Sequence, residues 1–240
     1  MDALAAGAAA LGLALDAAQV ERFVRYRALL LDWNTRVNLT AITDPAEVVA
    51  RHFLDSLTCV LALPAAWRER EVALLDVGSG AGFPGLPIAI ALPKWRVTLL
   101  EATGKKVRFL EAVIAELGLA NVQTMMGRAE EAAHQPAYHG RFDVVTARAL
   151  AALPALLEYC CPFVRAGGYV VAPKKGDLAA EVAAGVRAAR LLGAKLLAPV
   201  PVTLAALADG RVLVVVRQER PCPQQYPRAA GAPVKRPVGI

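Results

Sequence analysis

The chain has 240 residues, 56% of them hydrophobic, and a formal net charge of +6 at pH 7. This composition excludes a largely disordered chain, and the length suits one large α/β domain with an appendage or two small domains. The excess of positive charge favours a polyanionic partner over an acidic one.

The first apolar stretch, ALAAGAAALGLAL, has the character of a signal-peptide core. However, Asp2 stands where a positive flank is expected and Asp16 follows the stretch. It is also too short to cross a bilayer. We therefore expect the start of a helical N-terminal segment and no membrane partner.

Two amphipathic helices are predicted next. The first is AQVERFVRYRALLLDWNTRV, with apolar residues at helical spacing. The second is DPAEVVARHFLDSL, in which Asp44 is placed as the N-cap, Pro45 at the first helical position and Glu47 three residues beyond the cap. Together these residues predict a helical segment over 1–65.

From Glu71 onward the pattern becomes strand, turn and helix in repetition. Continuous apolar strands that alternate with helices predict a parallel sheet covered on both faces, here over residues 66–220. The tail at 221–240 is rich in proline and basic residues, and we expect it to be extended. The strand candidates are VALLDV, RVTLLE, NVQTMM, FDVVTA, GYVVA and RVLVVVRQ.

The first strand runs into LLDVGSGAGFPGLP at residues 74–87, which contains four glycines. A P-loop is excluded, because Leu86 and Pro87 follow the last glycine where a P-loop has Lys and Ser or Thr. The letters GAGFPG do match the dinucleotide fingerprint, and Glu101 stands about 20 residues further on, where a ribose ligand belongs. A nicotinamide enzyme is therefore the main alternative. The structural alternative is a strand-to-helix turn that uses glycine only for its backbone freedom and binds no ligand.

Two residues weigh against a dinucleotide. Asp76 ends the strand and gives D-x-G-x-G-x-G, and Pro84 has no N–H to offer a pyrophosphate at the helix start. A ligand without phosphate suits this turn better. S-adenosylmethionine is such a ligand, with its amino acid part at the glycine turn beside Asp76 and its ribose diol on Glu101.

The stretches LLDVGSGAGFPGLP, LLEATGKKVRFL, GRAEE, VVTARAL, NLTAI and RHFLDSL together resemble the glucose-inhibited division protein B family. The resemblance implies a seven-stranded Rossmann-like class I methyltransferase fold with a helical N-terminal extension. It also implies methyl transfer from S-adenosyl-L-methionine to N7 of a guanine in 16S ribosomal RNA, leaving S-adenosyl-L-homocysteine. Another RNA methyltransferase, or an RNA-binding protein with a vestigial pocket, stays open as an alternative. The family's cofactor contacts, with the two residues of the glycine turn argued above, fall on Asp76, Gly78, Gly80, Phe83, Glu101, Ala102, Thr103, Ala129, Glu130 and Arg148.

Methylation at guanine N7 needs no strong general base, because N7 already carries an exposed lone pair. The chain shows no obvious acid–base pair. His52, Asp55 and Ser56 follow helical spacing, so we expect one helix face that either borders the catalytic cleft or joins the N-terminal segment to the sheet. For Arg148 the alternative is a surface ion pair, with Glu130 as its partner.

Basic residues that follow the strands are candidates for contact with RNA phosphates. They are Lys105, Lys106, Arg108, Arg128, Lys174 and Lys175, with Arg228 in the tail. The expected partner is 16S ribosomal RNA or the small-subunit particle, and we expect a cytoplasmic monomer. The four cysteines form no C-x-x-C pair, and we expect them to be buried thiols in a reducing compartment. No set of His, Cys, Asp and Glu residues has metal-ligand spacing.

Overall fold

The computed structural model describes all 240 residues, and its centre is one mixed sheet of eight strands. The order is β3-β2-β1-β4-β5-β8-β6, and β7 also pairs with β8. The strands are β1 (Val72–Val77), β2 (Trp95–Glu101), β3 (Val122–Met126), β4 (Phe142–Thr146), β5 (Val164–Lys174), β6 (Ala194–Leu196), β7 (Val200–Pro201) and β8 (Val212–Gln218).

This topology confirms the Rossmann-like α/β fold and corrects two details. Strands β1 to β5 are parallel, but β8 runs antiparallel to β5, β6 and β7, so the sheet is mixed. The eighth strand is β7, a two-residue edge pairing that is too short to leave an apolar pattern.

The helices cover both faces of the sheet. They are α1 (Asp2–Ala10), α2 (Ala17–Asn34), α3 (Pro45–Val48), α4 (Asp55–Leu57), α5 (Gly85–Ala91), α6 (Gly104–Leu117), α7 (Ala129–Ala132), α8 (Leu153–Cys160), α9 (Ala179–Leu191) and α10 (Ala232–Lys235). A core of 38 buried residues joins the N-terminal helices, α5 and α6 to one face, and a core of 27 joins α8, α9 and the tail to the other. No helix combines the length and apolar character that a membrane crossing requires.

The second predicted helix is continuous only at its start. Asp44 accepts the backbone N–H groups of Ala46 and Glu47, both at 2.9 Å, which confirms the predicted cap. The helix then widens into a π-helical turn over Val49–Leu54 before α4. Such turns are frequent at functional sites, and no residue type predicts them.

The tail is not extended, contrary to the sequence prediction. Cys222, Pro233 and Val238 are buried, and α10 packs against α8. Proline-rich composition led to the wrong prediction because it does not reveal apolar anchors spaced along a chain.

Candidate active site

The glycine turn after β1 is built on backbone conformations that only glycine adopts without strain. Gly78 has a φ of +70°, and a Cβ there would lie 2.8 Å from Leu150 Cδ1. The turn is held from below, because the N–H groups of Gly78 and Ser79 both donate to the carbonyl of Leu100 on β2. The backbone therefore lies open toward the cleft at the carboxyl ends of the parallel strands.

Asp76 holds the start of α5 instead of facing the cleft. It is fully buried, and its Oδ2 accepts the N–H of Gly85 at 3.0 Å while Oδ1 accepts the hydroxyl of Thr146 at 3.3 Å. Burial raises the pKa of Asp76 to about 6, although the N–H of Gly85 and the charge of Arg148 act the other way. The structure thus gives Asp76 a role in shaping the turn and does not bring it to the cavity.

The start of α5 has no free N–H group for a pyrophosphate. Gly85 donates to Asp76 and Leu86 donates to Gly82, while Pro84 and Pro87 have no N–H. This occupancy removes the feature on which a dinucleotide site depends, in agreement with the sequence argument.

Glu101 ties the glycine turn to the end of β2. Its Oε2 accepts the N–H of Gly80 at 2.9 Å and its Oε1 accepts the N–H of Thr103 at 2.8 Å. The carboxylate is nearly buried yet borders the cleft, so its remaining lone pairs face the cavity. A vicinal diol is the natural donor for two such oxygens.

The cleft above the turn is a cavity of about 350 Å³, here called the glycine-turn cavity. It is lined by Val77, Gly78, Leu100, Glu101, Ala102, Lys106, Gly127, Arg128, Ala129, Glu130, Arg148, Ala149, Leu150, Tyr159 and Val234. Six of the ten predicted cofactor residues lie in this wall. Asp76, Gly80, Phe83 and Thr103 do not.

Phe83 lies behind the cleft in a stack of rings. Its ring centroid is 4.4 Å from that of His52 and 5.5 Å from that of Tyr26, and the guanidinium of Arg148 lies 4.9 Å from it. Phe83 therefore packs against His52, Tyr26 and Arg148 and lies outside the wall of the glycine-turn cavity, and its contact with cofactor stays a prediction.

Asp55 is the centre of a buried charge cluster. Its Oδ2 accepts Arg148 Nη1 at 2.8 Å, and its Oδ1 accepts Arg211 Nη1. Arg211 is also paired through two bonds with Asp209. The ion pair foreseen for Arg148 exists, but its partner is Asp55 and not Glu130.

His52 is held neutral inside this cluster. Burial and, after it, the neighbouring charge of Arg148 together lower its pKa to about 4. Nδ1 lies 3.2 Å from both Arg148 Nη2 and the carbonyl oxygen of Arg51, and Nε2 lies 2.7 Å from Thr40 Oγ1. Both ring nitrogens are therefore occupied, and His52 is not placed to act as a free base.

Ser56 does not share the cleft face, contrary to the sequence prediction. It is fully buried, and its hydroxyl donates to the carbonyl of His52 at 2.5 Å. The prediction assumed regular α-helical spacing, which the π-helical turn at Val49–Leu54 interrupts.

A second cavity of about 460 Å³ adjoins the first and is here called the basic cavity. Its wall consists of Ile42, Arg51, His52, Asp55, Arg148, Ala149, Pro173, Lys174, Lys175 and Arg211. Five of these ten are Lys or Arg, and only one is acidic. Lys174 is neutralised by Glu181 at 2.6 Å, whereas Lys175 is exposed and makes no ion pair.

Arg148 and Ala149 line both cavities and so form the wall between them. Ala149 has a φ of +53° and is the one residue other than glycine with a positive φ. Such a backbone costs about 1 to 3 kcal/mol and persists at sites where the surrounding contacts fix it. The strained residue thus lies where two bound groups would meet.

Apart from Arg228, the predicted cationic residues separate into three groups. Lys106 and Arg128 line the glycine-turn cavity, Lys174 and Lys175 line the basic cavity, and Lys105 and Arg108 are exposed. Arg228 differs, because its guanidinium pairs at 2.7 Å with Glu158, whose side chain is fully buried. Arg228 is therefore committed to the tail's own packing.

Sequence reasoning missed Arg51 and Arg211 of the basic cavity, and Tyr159 and Val234 of the glycine-turn cavity. Arg211 is 156 residues from Asp55 in sequence, and nothing local marks either as a partner. Arg51 opens the RHFLDSL stretch and could have been found from that motif. No group of three or more His, Cys, Asp and Glu side chains could hold a metal ion.

The chain was compared with protein families and with known proteins. A family model described as rRNA small subunit methyltransferase G matches residues 19–204. A protein of Roseiflexus sp. (strain RS-1) named ribosomal RNA small subunit methyltransferase G is 48% identical over 99% of this chain and 100% of its own length. One of the same name from Dehalococcoides mccartyi (strain CBDB1) is 43% identical with the same coverage.

Solved structures share the fold at low identity. MtNAS in complex with MTA and tNA aligns with a TM-score of 0.54 and 16% identity, over 80% of this chain and 70% of that one. The [4+2]-cyclase SpnF aligns at 0.52 and 18% identity, over 70% and 81%. The solved structures show the fold alone, whereas the sequence matches also show the family and confirm the resemblance seen in the motifs. The chain belongs to the rRNA small subunit methyltransferase G family.

Proposed function

We propose that the chain transfers a methyl group from S-adenosylmethionine to N7 of a guanine in 16S ribosomal RNA. The observation that supports this most is the pair of adjoining cavities with Arg148 and Ala149 as their common wall. One cavity suits a nucleoside that carries an amino acid tail and no phosphate, and the other is lined by cations that suit RNA phosphates.

The glycine-turn cavity suits S-adenosylmethionine by its donor and acceptor set. Glu101 offers carboxylate oxygens toward a ribose diol, the open backbone at Gly78 leaves room for the amino acid end, and Ala129 and Glu130 border the adenine end. When bound, this cofactor supplies a methyl group on a positively charged sulfur that a nucleophile attacks directly.

The basic cavity suits the target guanine and its flanking phosphates. Lys175 is the best candidate for a phosphate contact, because it is the lysine of this wall without an acidic partner. His52 and Asp55 act through Arg148 and are positioning residues, since every polar atom they present is used within the protein.

The absence of a free base in the wall agrees with chemistry at N7, where no proton has to leave. The chain's contribution is then to align the two groups across the Arg148–Ala149 wall, to exclude water, and to accept a positive charge that develops on the purine. A ribosomal substrate implies action in the cytoplasm on the RNA or the small-subunit particle. We propose that the chain works as a monomer, since both cavities are built from one chain.

The test is transfer of labelled methyl from S-adenosylmethionine to 16S RNA and to small subunits from cells lacking the enzyme. We expect one guanine to be labelled, located by chemical cleavage and reverse transcription. Labelling of an exocyclic amine or of a pyrimidine would overturn the assignment to N7. Titration with S-adenosylhomocysteine and with NADH separately tests the cofactor, and we expect binding of the former alone.

A further inference from the structure

The C-terminal tail, residues 221–240, lies beyond the region that the family model matches, yet it reaches the glycine-turn cavity. Its short helix α10 places Val234 in the cavity wall, although 59% of that side chain is exposed. A ligand with an apolar surface, bound in this cavity, would cover the exposed side chain of Val234.

A backbone hydrogen bond fixes the tail at this place. The N–H of Gly231, just before α10, donates to Glu130 Oε1 at 3.2 Å. Glu130 itself lines the cavity, so the tail is bonded directly to one of the residues assigned to the adenine end. Val234 therefore faces the cavity from beside Glu130.

The anchor of the tail is the Arg228–Glu158 pair. Glu158 on α8 accepts the backbone N–H and Nε of Arg228 through Oε1, at 2.9 and 2.8 Å, and Nη2 through Oε2 at 2.7 Å. Nη2 also donates to the carbonyl of Arg236 at 2.6 Å, which closes the tail on itself around α10. A fully buried carboxylate with three donors from one residue holds that segment firmly.

We propose that the tail is part of the cofactor site, with Val234 contacting the adenosyl part of the bound cofactor. This inference rests on the proposed function, because it assumes that the glycine-turn cavity takes S-adenosylmethionine. It goes beyond that function by assigning a binding role to the C-terminal tail, which lies outside the residues matched by the family model although the aligned relatives extend along it.

Binding of S-adenosylhomocysteine by isothermal titration calorimetry tests the proposal. Val234→Ala is expected to raise the dissociation constant a few-fold by removing apolar contact, and Val234→Asp to raise it about tenfold or more by placing a charge against the ligand. The matched controls are Val186→Ala and Val186→Asp, at an exposed valine on α9 outside both cavities. They should leave the constant unchanged.

The outcomes separate the two proposals. A wild-type protein that fails to bind S-adenosylhomocysteine overturns the proposed function. A wild-type protein that binds it, with Val234→Asp equally tight, overturns the role of the tail. Methylthioadenosine, which lacks the amino acid end, should lose the same fold of affinity in Val234→Asp. An effect seen only with S-adenosylhomocysteine would contradict contact with the adenosyl part.

Limited trypsin digestion gives a second readout that does not depend on activity. Lys235 and Arg236 are exposed at the end of α10, and the bond between them is open to cleavage. Saturating S-adenosylhomocysteine should slow this cleavage in the wild type and not in Val234→Asp. Equal cleavage rates with and without ligand in the wild type would overturn the proposal.

Discussion

Asp55 lies between two guanidinium groups and is the residue on which the basic cavity depends. Its side chain is 6% exposed, and Arg148 and Arg211, at 17% and 11%, are nearly as enclosed. Removing one member of a buried ion cluster leaves the others desolvated without a partner, which costs more than the cluster contributes when it is complete.

We predict that Asp55→Asn lowers the free energy of unfolding by about 3 kcal/mol, measured by urea denaturation. The matched control is Asp32→Asn, which removes a carboxylate from the exposed Arg36 pair, where 60% and 56% of the side chains are accessible. That change should cost no more than about 0.5 kcal/mol. Equal losses in the two variants would contradict the central place given to Asp55.

His52 gives the cluster a dependence on pH whose sign follows from its lowered pKa. The unfolded chain binds a proton at about 6.5 and the folded chain only at about 4, so the neutral ring favours the folded state above 6.5. This contribution is lost as pH falls from 6.5 to 4.

We therefore predict that the stability difference between wild type and His52→Gln shrinks by as much as about 3 kcal/mol between pH 7 and pH 4. Asp76 changes in the opposite direction in part of this range, because its raised pKa of about 6 makes the folded state take up its proton first. Comparing the two proteins at each pH cancels that contribution. A difference that stays constant with pH would show that His52 titrates normally.

At the residue scale, sequence reasoning located the glycine turn, Glu101, Glu130 and Arg148 correctly in one cavity wall, because each follows a parallel strand. It also predicted ligand contacts for Asp76 and Phe83, and neither residue lines the wall of this cavity. Both stand in the right motif, but a motif does not state whether a side chain points to the ligand or into the supporting layer. That direction is decided by packing partners such as Tyr26, which are distant in sequence.

At the scale of elements, α2 is joined to the glycine-turn region through Gln19. Its side-chain amide donates to the carbonyls of Ile90 and Ala91 at 2.8 and 3.1 Å, which are end groups of α5 without helical partners. Gln19 also forms a capping box with Asp16 at the start of α2. The Gln19 side chain thus caps the C-terminal end of α5 and the N-terminal end of its own helix, α2.

We predict that Gln19→Ala lowers the free energy of unfolding by about 2 kcal/mol, from the lost cap and the carbonyls left without a donor. Gln224→Ala, at an exposed residue of the tail, is the matched control and should change stability by less than about 0.5 kcal/mol. Chemical denaturation of both variants measures the difference. A loss below about 0.5 kcal/mol in Gln19→Ala would mean that the helices are joined by apolar packing alone.

The central elements could be predicted because β1, β2, β4, β5 and β8 each contain a short apolar run between turns, and β3 fits the same alternation of strand, turn and helix. β6 and β7 could not, since strands of three and two residues at a sheet edge carry no periodic pattern. The π-helical turn over Val49–Leu54 was also beyond prediction. The residues that pack on it, such as Phe23 of α2 against Phe53, are distant in sequence.

For the whole molecule, part of the positive charge behind the net value of +6 is concentrated in the wall of the basic cavity, which holds five Lys and Arg residues. Lys174 ends β5 opposite Val212 at the start of β8, and the basic cavity opens there. Lys195 lies at the other end of β8, opposite Arg217. Lys175 and Lys195 are therefore both exposed lysines, but they lie near opposite ends of β8.

This separation allows a matched test of the RNA-binding face. The affinity for 16S RNA, measured by filter binding with S-adenosylhomocysteine present, should fall with rising potassium chloride as counterions are released. Lys175→Gln is expected to weaken binding and to reduce the slope of log affinity against log salt by about 0.7 to 0.9, the value for one phosphate contact. Lys195→Gln lowers the net charge equally and should leave the slope unchanged. Equal slopes in both variants would mean that net charge alone, and not a contact at the basic cavity, holds the RNA. A weaker affinity of Lys175→Gln with an unchanged slope would instead place that lysine on a base.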